Sequence, residues 1–474
     1  MGRCYERQEC CCLKLYLNLF GIALGLFLAT LTPPPALSIA AMQALGLLAW
    51  AICAFVGQVY DDYIVALIMA VGWIVLGIVP LEIAFATFHS RTWWLLVGAL
   101  GLGAGVARSG LLKRSTLLML RLMPPSYLGQ TLALFLTGVV FCPAIPSVTA
   151  KVSITGKFIP GLAGAMGFGE RSKESAGLFL AMYLGFVLAA PMYMTATSTN
   201  LFLIELLPPL EVSRMSWGFW LTAALPPVLF AAMLGYLALL MLFQPKGPAS
   251  ADRAVVVAEL QALGPLTRPE KVILLVLLLA LILWITEGWH GQQPAAVALA
   301  ALTVLLATGT VDRKTFHTEI GWSSLIFLGI ILNLGQVFPR LGIDKFLGAE
   351  LLPLLGPLAE NSLLFTALLM ACTFLLRFVM VSINALLAIL MLILTPVAAA
   401  AGMSAWALGM VIHLAAHGVF VMHYQNIVYA VGCEAAEGKA ISVSDGAKFS
   451  LIFTGITVLA VLAALPYWRW LGLL

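Results

Sequence analysis

The chain has 474 residues; 62% are hydrophobic, 10% are charged, and the formal net charge is +4. Soluble domains carry about 25% charged residues, so a water-soluble enzyme or binding module is excluded. Apolar runs of about 20 residues, enough to cross a hydrocarbon core about 30 Å thick, recur from end to end, and such runs exclude a β-barrel, whose segments are short and alternating.

Cys4, Cys10, Cys11 and Cys12 crowd the tail, open to reversible acylation or plain thiols. The first run, Leu13–Leu31, ends in "TPPPALS" without a clear Ala-x-Ala cleavage pattern, so it reads as a span rather than a signal peptide. A second run covers Ile39–Gly57, and "VYDDY", with Asp61 and Asp62, reads as a solvated loop. "TWWLLVGALGLGAGVARSGLLKR" (92–114) follows; its "GLGAG" has no strand before it, so it predicts close helix packing, not a nucleotide loop. Next comes "IPSVTAKVSITGKFIP" (145–160), with Ser147, Thr149, Lys151, Ser153, Thr155 and Lys157 at alternate positions. "MTATSTN" (194–200) interrupts the following apolar helix, and Trp217–Phe243 is another span.

The stretch 244–271 is rich in Pro, Gly and charge and reads as a linker. Beyond it lie spans at Val272–Trp289 and Ala295–Gly309, then "GWSSLIFLGIILNLGQVFPRLGIDK" (321–345) and "SINALLAILMLILTP" (382–396). "VMHYQN" (421–426) breaks a further helix, and Leu451–Leu465 lies in the last span. Cys53, Cys142 and Cys372 read as small core residues.

Lys and Arg mark cytoplasmic loops. With a cytoplasmic N-terminus and about eleven spans in order, eighteen of the 25 basic residues fall inside and five outside. That bias holds only if the segments 131–158 and 363–395 enter the membrane and return on their own side.

The three polar or glycine-rich stretches of the first half each have a partner about 230 residues later. Ser147-x-Thr-Ala and Ser382-x-Asn-Ala both precede a proline by 13 or 14 residues, and "MTATSTN" and "VMHYQN" both end in asparagine. Five spans per half give the halves opposite orientation, the inverted repeat of many secondary transporters. The reading divides the chain into a tail and first span (1–37), a first repeat (38–243), a linker (244–271) and a second repeat (272–474). The unwound helices fall at about 176–207 and 404–432. Irregular backbone survives at membrane depth only where it is buried in protein or lines a cavity. Half-helix ends then aim free N–H groups at that cavity, which predicts a midplane site for a small anion.

At these residues the chain resembles the divalent anion:sodium symporter family, carriers of dicarboxylates, citrate and sulfate. The resemblance covers most of residues 39–465. It rests on Ser147-Val148-Thr149 and Ser382-Ile383-Asn384 at the places of the family's two Ser-Asn-Thr triplets, on "TATSTN", on "HYQNIVYAVG" (423–432) and on "ISVSDGAKFS" (441–450). It implies an all-α elevator-type transporter with two re-entrant hairpins, working as a homodimer in the cell's inner membrane. The implied substrate ligands are Ser147, Thr149, Lys151, Thr197, Thr199, Asn200, Ser382, Asn384, Gln425 and Asn426. The coupling ion, sodium or a proton, falls to Ser147, Thr149, Asn200, Ser382, Asn384, Asn426 and His423. Val148 and Ile383 replace the middle asparagines, so sodium dependence is expected to be weak or absent. Lys151 either faces the substrate or snorkels; Arg377 reads as an anchor of the second hairpin. A cation/proton exchanger of related fold and an intramembrane metalloenzyme built on His413, His417 and His423 stand as alternatives. No cofactor and no nucleic-acid partner is expected.

Overall fold

The computed structural model describes residues 2–145 and 147–474, with the side chains of residues 2–13, Val255, Leu354 and Ala359 outside the description. The side chains of the four tail cysteines are among these. Among the described residues the chain forms helices joined by turns, with one isolated bridge between Ser126 and Ser250. Helices satisfy their own N–H and C=O groups, as an apolar surround demands. Their starts are written in the sequence: Ser38, Ser90, Ser126, Ser172, Ser216 and Ser404 each accept a hydrogen bond from a first-turn N–H.

The runs Ile39–Gly57 and Trp217–Phe243 form helices of those same bounds. Val272–Trp289 becomes Arg268–Ile285, because Thr267 and Glu270 close a capping box just upstream. Ala295–Gly309 becomes Pro294–Ala307, and Gly309 leaves the helix at a φ of 69°. Among the described residues seven helical stretches are long and apolar enough to cross a membrane. The expected number is about eleven; shorter apolar helices, such as Asp62–Val75 and Ala405–His417, stand beside the seven.

One stretch of the second half follows the element order of a stretch in the first. Helix Arg91–Ser109 ends at Gly110 (φ 83°), and Leu111–Leu122 leaves it bent by 63°. Likewise Trp322–Ile331 and Leu334–Arg340 run to Gly342 (φ 71°), after which Ile343–Ala359 begins. Glycine alone takes such φ values without a steric penalty. The "GLGAG" stretch does what close packing requires: Gly98 meets the Ala298 backbone, and Gly101 and Gly105 meet Leu302 and Leu305. The first helix, Gly2–Thr30, lies along Ile39–Gly57 and exposes Leu15, Leu19, Phe20, Leu26 and Phe27, the surface a lipid-facing helix presents.

The linker carries a helix, Arg253–Ala262, and is clamped to the first half by Arg114. Arg114 Nε donates to Glu270 Oε1 at 2.7 Å, Nη2 to Oε2 at 3.1 Å and Nη1 to the Gly264 carbonyl at 2.8 Å. Both side chains are buried. Arg114→Ala, which strands the Glu270 carboxylate, is expected to cost about 3–5 kcal/mol, read as a fall in the melting point of the purified protein. The double change Arg114→Met with Glu270→Leu is expected to lie closer to wild type.

Candidate anion site

Four helical paths break in the middle of the chain. In the first half, helix Tyr127–Phe141 runs into a 3₁₀ turn, Cys142–Ala144, and a tip helix, Val148–Thr155, restarts after Ser147. Ser147 Oγ accepts from the Ala150 N–H at 3.3 Å and lies 3.2 Å from Thr149 Oγ1. In the second half, helix Ser362–Leu376 gives way to an irregular stretch, and the tip helix Ile383–Ala400 restarts after Ser382, whose Oγ accepts from the Ala385 N–H at 3.4 Å.

The two unwound helices break similarly. Lys173–Tyr183 passes through a π turn and a 3₁₀ turn, then restarts as an exit helix, Ser198–Glu205, capped by Thr197, which accepts from Thr199 N–H at 3.3 Å. Ala405–His417 breaks at Gly418 and restarts as the exit helix Ile427–Ala435. Asn426 Oδ1 caps it, accepting from Val428 and Tyr429 N–H at 3.0 and 3.2 Å. Gly138 and Gly185 let Tyr127–Phe141 approach the π turn backbone to backbone; a Cβ at either would strike main chain.

Ser147, Thr197, Ser382 and Asn426 thus each begin a helix. The helices interlock across the halves: the first tip helix packs on the second exit helix, and the first exit helix on the second tip helix. A helix N-terminus carries free N–H groups and about half a positive charge, so four such ends amount to about two charges, the complement of a dianion.

The remaining expected residues lie around these ends with distinct duties. Asn200 donates through Nδ2 to the Tyr193 and Ala190 carbonyls at 2.8 and 3.3 Å, and its Oδ1 is buried without a partner. Asn384 Oδ1 is likewise unpartnered, and Thr199 is buried beside Asn200. Thr195 Oγ1 donates to the Pro143 carbonyl at 2.9 Å, pinning the first unwound segment to the first tip. Gln425 holds its own break, accepting from Met422 N–H at 2.7 Å and donating to the Arg377 carbonyl at 3.4 Å. Ser153 and Thr155 bond back to helix carbonyls of Ala150 and Lys151, the common duty of membrane hydroxyls. His423 is exposed and stacks on Tyr429.

Lys151 neither snorkels nor points into open space. It is fully buried, and Nζ donates to the Ala196 carbonyl at 2.8 Å, the Cys142 carbonyl at 3.3 Å and the Cys142 sulfur at 3.2 Å. Arg377, also fully buried, donates to the carbonyls of Met380 at 2.6 Å, of Val381 and of Gln425. It ties the second tip to the second unwound segment, as an anchor does.

One residue here was not legible as a site residue. Asp62, read as a loop acid, lies near Ser382; the two are 320 positions apart, and no local pattern joins them. His413 and His417 are buried side by side, and His417 Nε2 donates to the Val187 carbonyl at 2.9 Å. Among the described residues no three metal-ligating side chains come together. A cavity of about 1220 Å³ borders the exit helix at Glu205 and the second tip helix at Ala388 and Met391, but includes none of the four capping residues.

The sequence matches the sodium:sulfate symporter transmembrane region over residues 13–474. A membrane protein of Cupriavidus necator is 26% identical over 97% of this chain and 94% of its own length. Dicarboxylate transporter 2 of the spinach chloroplast is 26% identical over 70% of this chain, which spans 61% of that protein. Inner membrane protein YbhI of Escherichia coli is 27% identical over 69% of this chain and 71% of its own length. In fold, the chain is similar to the YdaH transporter of Alcanivorax borkumensis, with a TM-score of 0.57 at 16% identity over 98% of both chains. These relatives are transporters and membrane proteins rather than enzymes, and the match spans all four helix breaks. The chain is a multi-pass membrane transport protein and belongs to the sodium:sulfate symporter family.

Proposed function

We propose that the chain is a secondary carrier of small divalent anions, dicarboxylates foremost, in a bacterial inner membrane. The observation that carries this reading is the set of four helix starts capped by Ser147, Thr197, Ser382 and Asn426. Together they offer unpaired N–H groups and about two positive charges to one ligand. The spinach relative's name, dicarboxylate transporter, favours the same ligand class. In this reading the N-terminus is cytoplasmic, the two halves are inverted repeats, and 131–158 and 363–395 are re-entrant hairpins. The hairpins and unwound helices move together against a dimeric scaffold, and Asp62 is the scaffold's contact with the second tip.

A cation/proton exchanger would need buried carboxylates. Among the described residues the buried polar side chains include one, Glu270, and Arg114 already pairs with it.

The test is a melting-point screen of the purified protein against succinate, citrate, sulfate and phosphate, with sodium or choline as counterion. A ligand that binds the folded state raises the melting point. A dicarboxylate is expected to give the largest rise; no rise with any divalent anion would defeat the reading. Ser147→Ala and Ser382→Ala are each expected to weaken dicarboxylate binding about tenfold or more, since a hydrogen bond to a charged group contributes about 1.5–3 kcal/mol. Unchanged affinity in both would remove the tips from the site.

A further inference from the structure

The linker, residues 244–271, occurs once and so sets the two halves apart. It leaves Trp217–Phe243, which packs on Lys173–Tyr183 and Val443–Trp470, and it ends in Arg268–Ile285, which packs on Arg91–Ser109 and Pro294–Ala307. A second connection joins the same two groups of helices. It is an arm helix, Leu111–Leu122, which runs from Arg91–Ser109 to the foot of the first hairpin at Tyr127. The joint between arm and hairpin, residues 123–126, reads Met-Pro-Pro-Ser. Its two prolines bring no N–H, and its carbonyls are bonded from outside. Gln130 Nε2 donates to the carbonyls of Leu120 and Pro124 at 3.0 and 2.9 Å, and the linker's Ala251 N–H donates to that of Pro125 at 2.7 Å. Tyr127 N–H donates to the Ala249 carbonyl at 3.2 Å, so 249–251 and 125–127 form one antiparallel rung.

Asp252 N–H reaches the Ala165 carbonyl at 3.4 Å, at the end of the helix that follows the first tip. Its carboxylate caps the linker helix, Arg253–Ala262, by accepting from Ala254 N–H at 2.8 Å, so no slack residue separates the rung from that helix. The linker helix lies on the arm, with Val256 buried and Glu259 Oε2 3.0 Å from Lys113 Nζ. Beyond it the carbonyls of Leu263, Gly264 and Pro265 all accept from Arg114. The linker thus holds the foot of the hairpin on one side of the joint and the arm on the other, as a splint holds a hinge. The joint of the second half, at Glu360 and Asn361, is built otherwise. Among the described residues its backbone bonds are local, to Gly356 and Phe365, and an exposed bond from Arg469 to the Ser362 hydroxyl at 3.0 Å reaches it from elsewhere.

We infer that the linker is a brake on transport: it fastens the first hairpin's joint at one angle, and each passage of the hairpins requires the linker helix to come off the arm. This rests on the proposed function, in which the hairpins move against the scaffold. The arm connects the moving helices to the standing ones, so their displacement changes the angle at the joint, as domain motions are absorbed at a few hinge residues. A splint without slack cannot follow that change with both ends attached. The end on the arm gives first. Lys113 and Glu259 are both partly exposed, and an exposed ion pair holds weakly, whereas the rung is bonded main chain to main chain. The Arg114 clamp stays closed, because Arg114 and Glu270 are buried together. The linker touches none of the four capping residues, so it governs the rate and leaves the affinity for the anion alone.

The experiment inserts Gly-Ser-Gly-Ser between Asp252 and Arg253 of the full-length protein. The insert is flexible, and its last serine can cap the linker helix in place of Asp252, so rung, helix and clamp keep their contacts while the splint gains slack. The readout is uptake of radiolabelled succinate, in sodium buffer, into liposomes preloaded with unlabelled succinate. The variant is expected to exchange about threefold faster than wild type, the order that release of one exposed ion pair gives a rate, with the melting-point rise in succinate unchanged. An equal or lower rate overturns the inference. The converse variant locks the splint. Lys113→Cys with Glu259→Cys, joined by a short reducible thiol cross-linker, is expected to lose exchange, to keep succinate binding and to regain exchange on reduction; each single change controls for the native cysteines. Cross-linked protein that exchanges at the reduced protein's rate also overturns the brake. Should the insertion fail to fold, the cross-link decides. A melting-point rise in succinate with unaltered rates in both variants refutes the brake and spares the anion reading. No rise and no uptake with any divalent anion in wild type refutes that reading, and the brake with it.

Discussion

Four interruptions of helix inside an apolar chain leave N–H and C=O groups that lipid cannot satisfy, each at a cost of several kcal/mol if unmet. Much of what surrounds the candidate site answers that demand. The N–H side is met by short polar caps: Ser147, Thr197, Ser382 and Asn426 each satisfy one or two first-turn donors and leave others facing outward. The C=O side is met by Lys151, Arg377, Thr195 and Asn200, whose donors reach the carbonyls stranded at the ends of the preceding helices. Donors left over on one side of the breaks and side chains bonded to the carbonyls on the other form a polarised arrangement, suited to an anion.

That division also explains why the two halves bond to each other and not only within themselves. A broken helix loses the stiffness that its hydrogen-bond ladder supplies, so its second piece must be held from outside. The first tip helix rests on the second exit helix, and the second tip helix on the first. His417, at the end of one unbroken piece, bonds the π turn of the other unwound helix at Val187. Tyr183, Phe420 and Tyr429 pack ring against ring between the same elements. The site is therefore framed by aromatic packing and by bonds between repeats.

Much of this was legible in the sequence because polarity is conspicuous in an apolar chain. The tip at Ser147, the break before Asn200, the tip at Ser382 and the break before Asn426 all fall where a polar cluster interrupts hydrophobic residues, and serine or asparagine before a restarting helix is a cap wherever it occurs. The glycines of "GLGAG" announced close packing for the same local reason. What could not be read was which donor meets which acceptor across distance. Lys151 sits in the tip helix and bonds a carbonyl 45 residues on; Arg377 bonds one 48 residues on. Periodicity and composition carry no information about such pairs. Nor could the sequence show that His423 lies exposed and stacked on Tyr429.

The sequence likeness between the two halves is weak, and the same bonds supply a physical cause. A stranded carbonyl needs a donor, but it does not specify which residue brings it or from which side. In the first half a lysine four positions after the capping serine reaches back; in the second an arginine five positions before its serine reaches forward. The lysine nitrogen offers separable donors on a flexible stem and the guanidinium a rigid planar fork, so each can bridge two elements, though from different starting points. The bonding result is alike in both halves while the letters are not. A comparison that looks for matching residues at matching offsets passes over this pair; one that asks which buried side chain each half sets against its stranded carbonyls finds it at once.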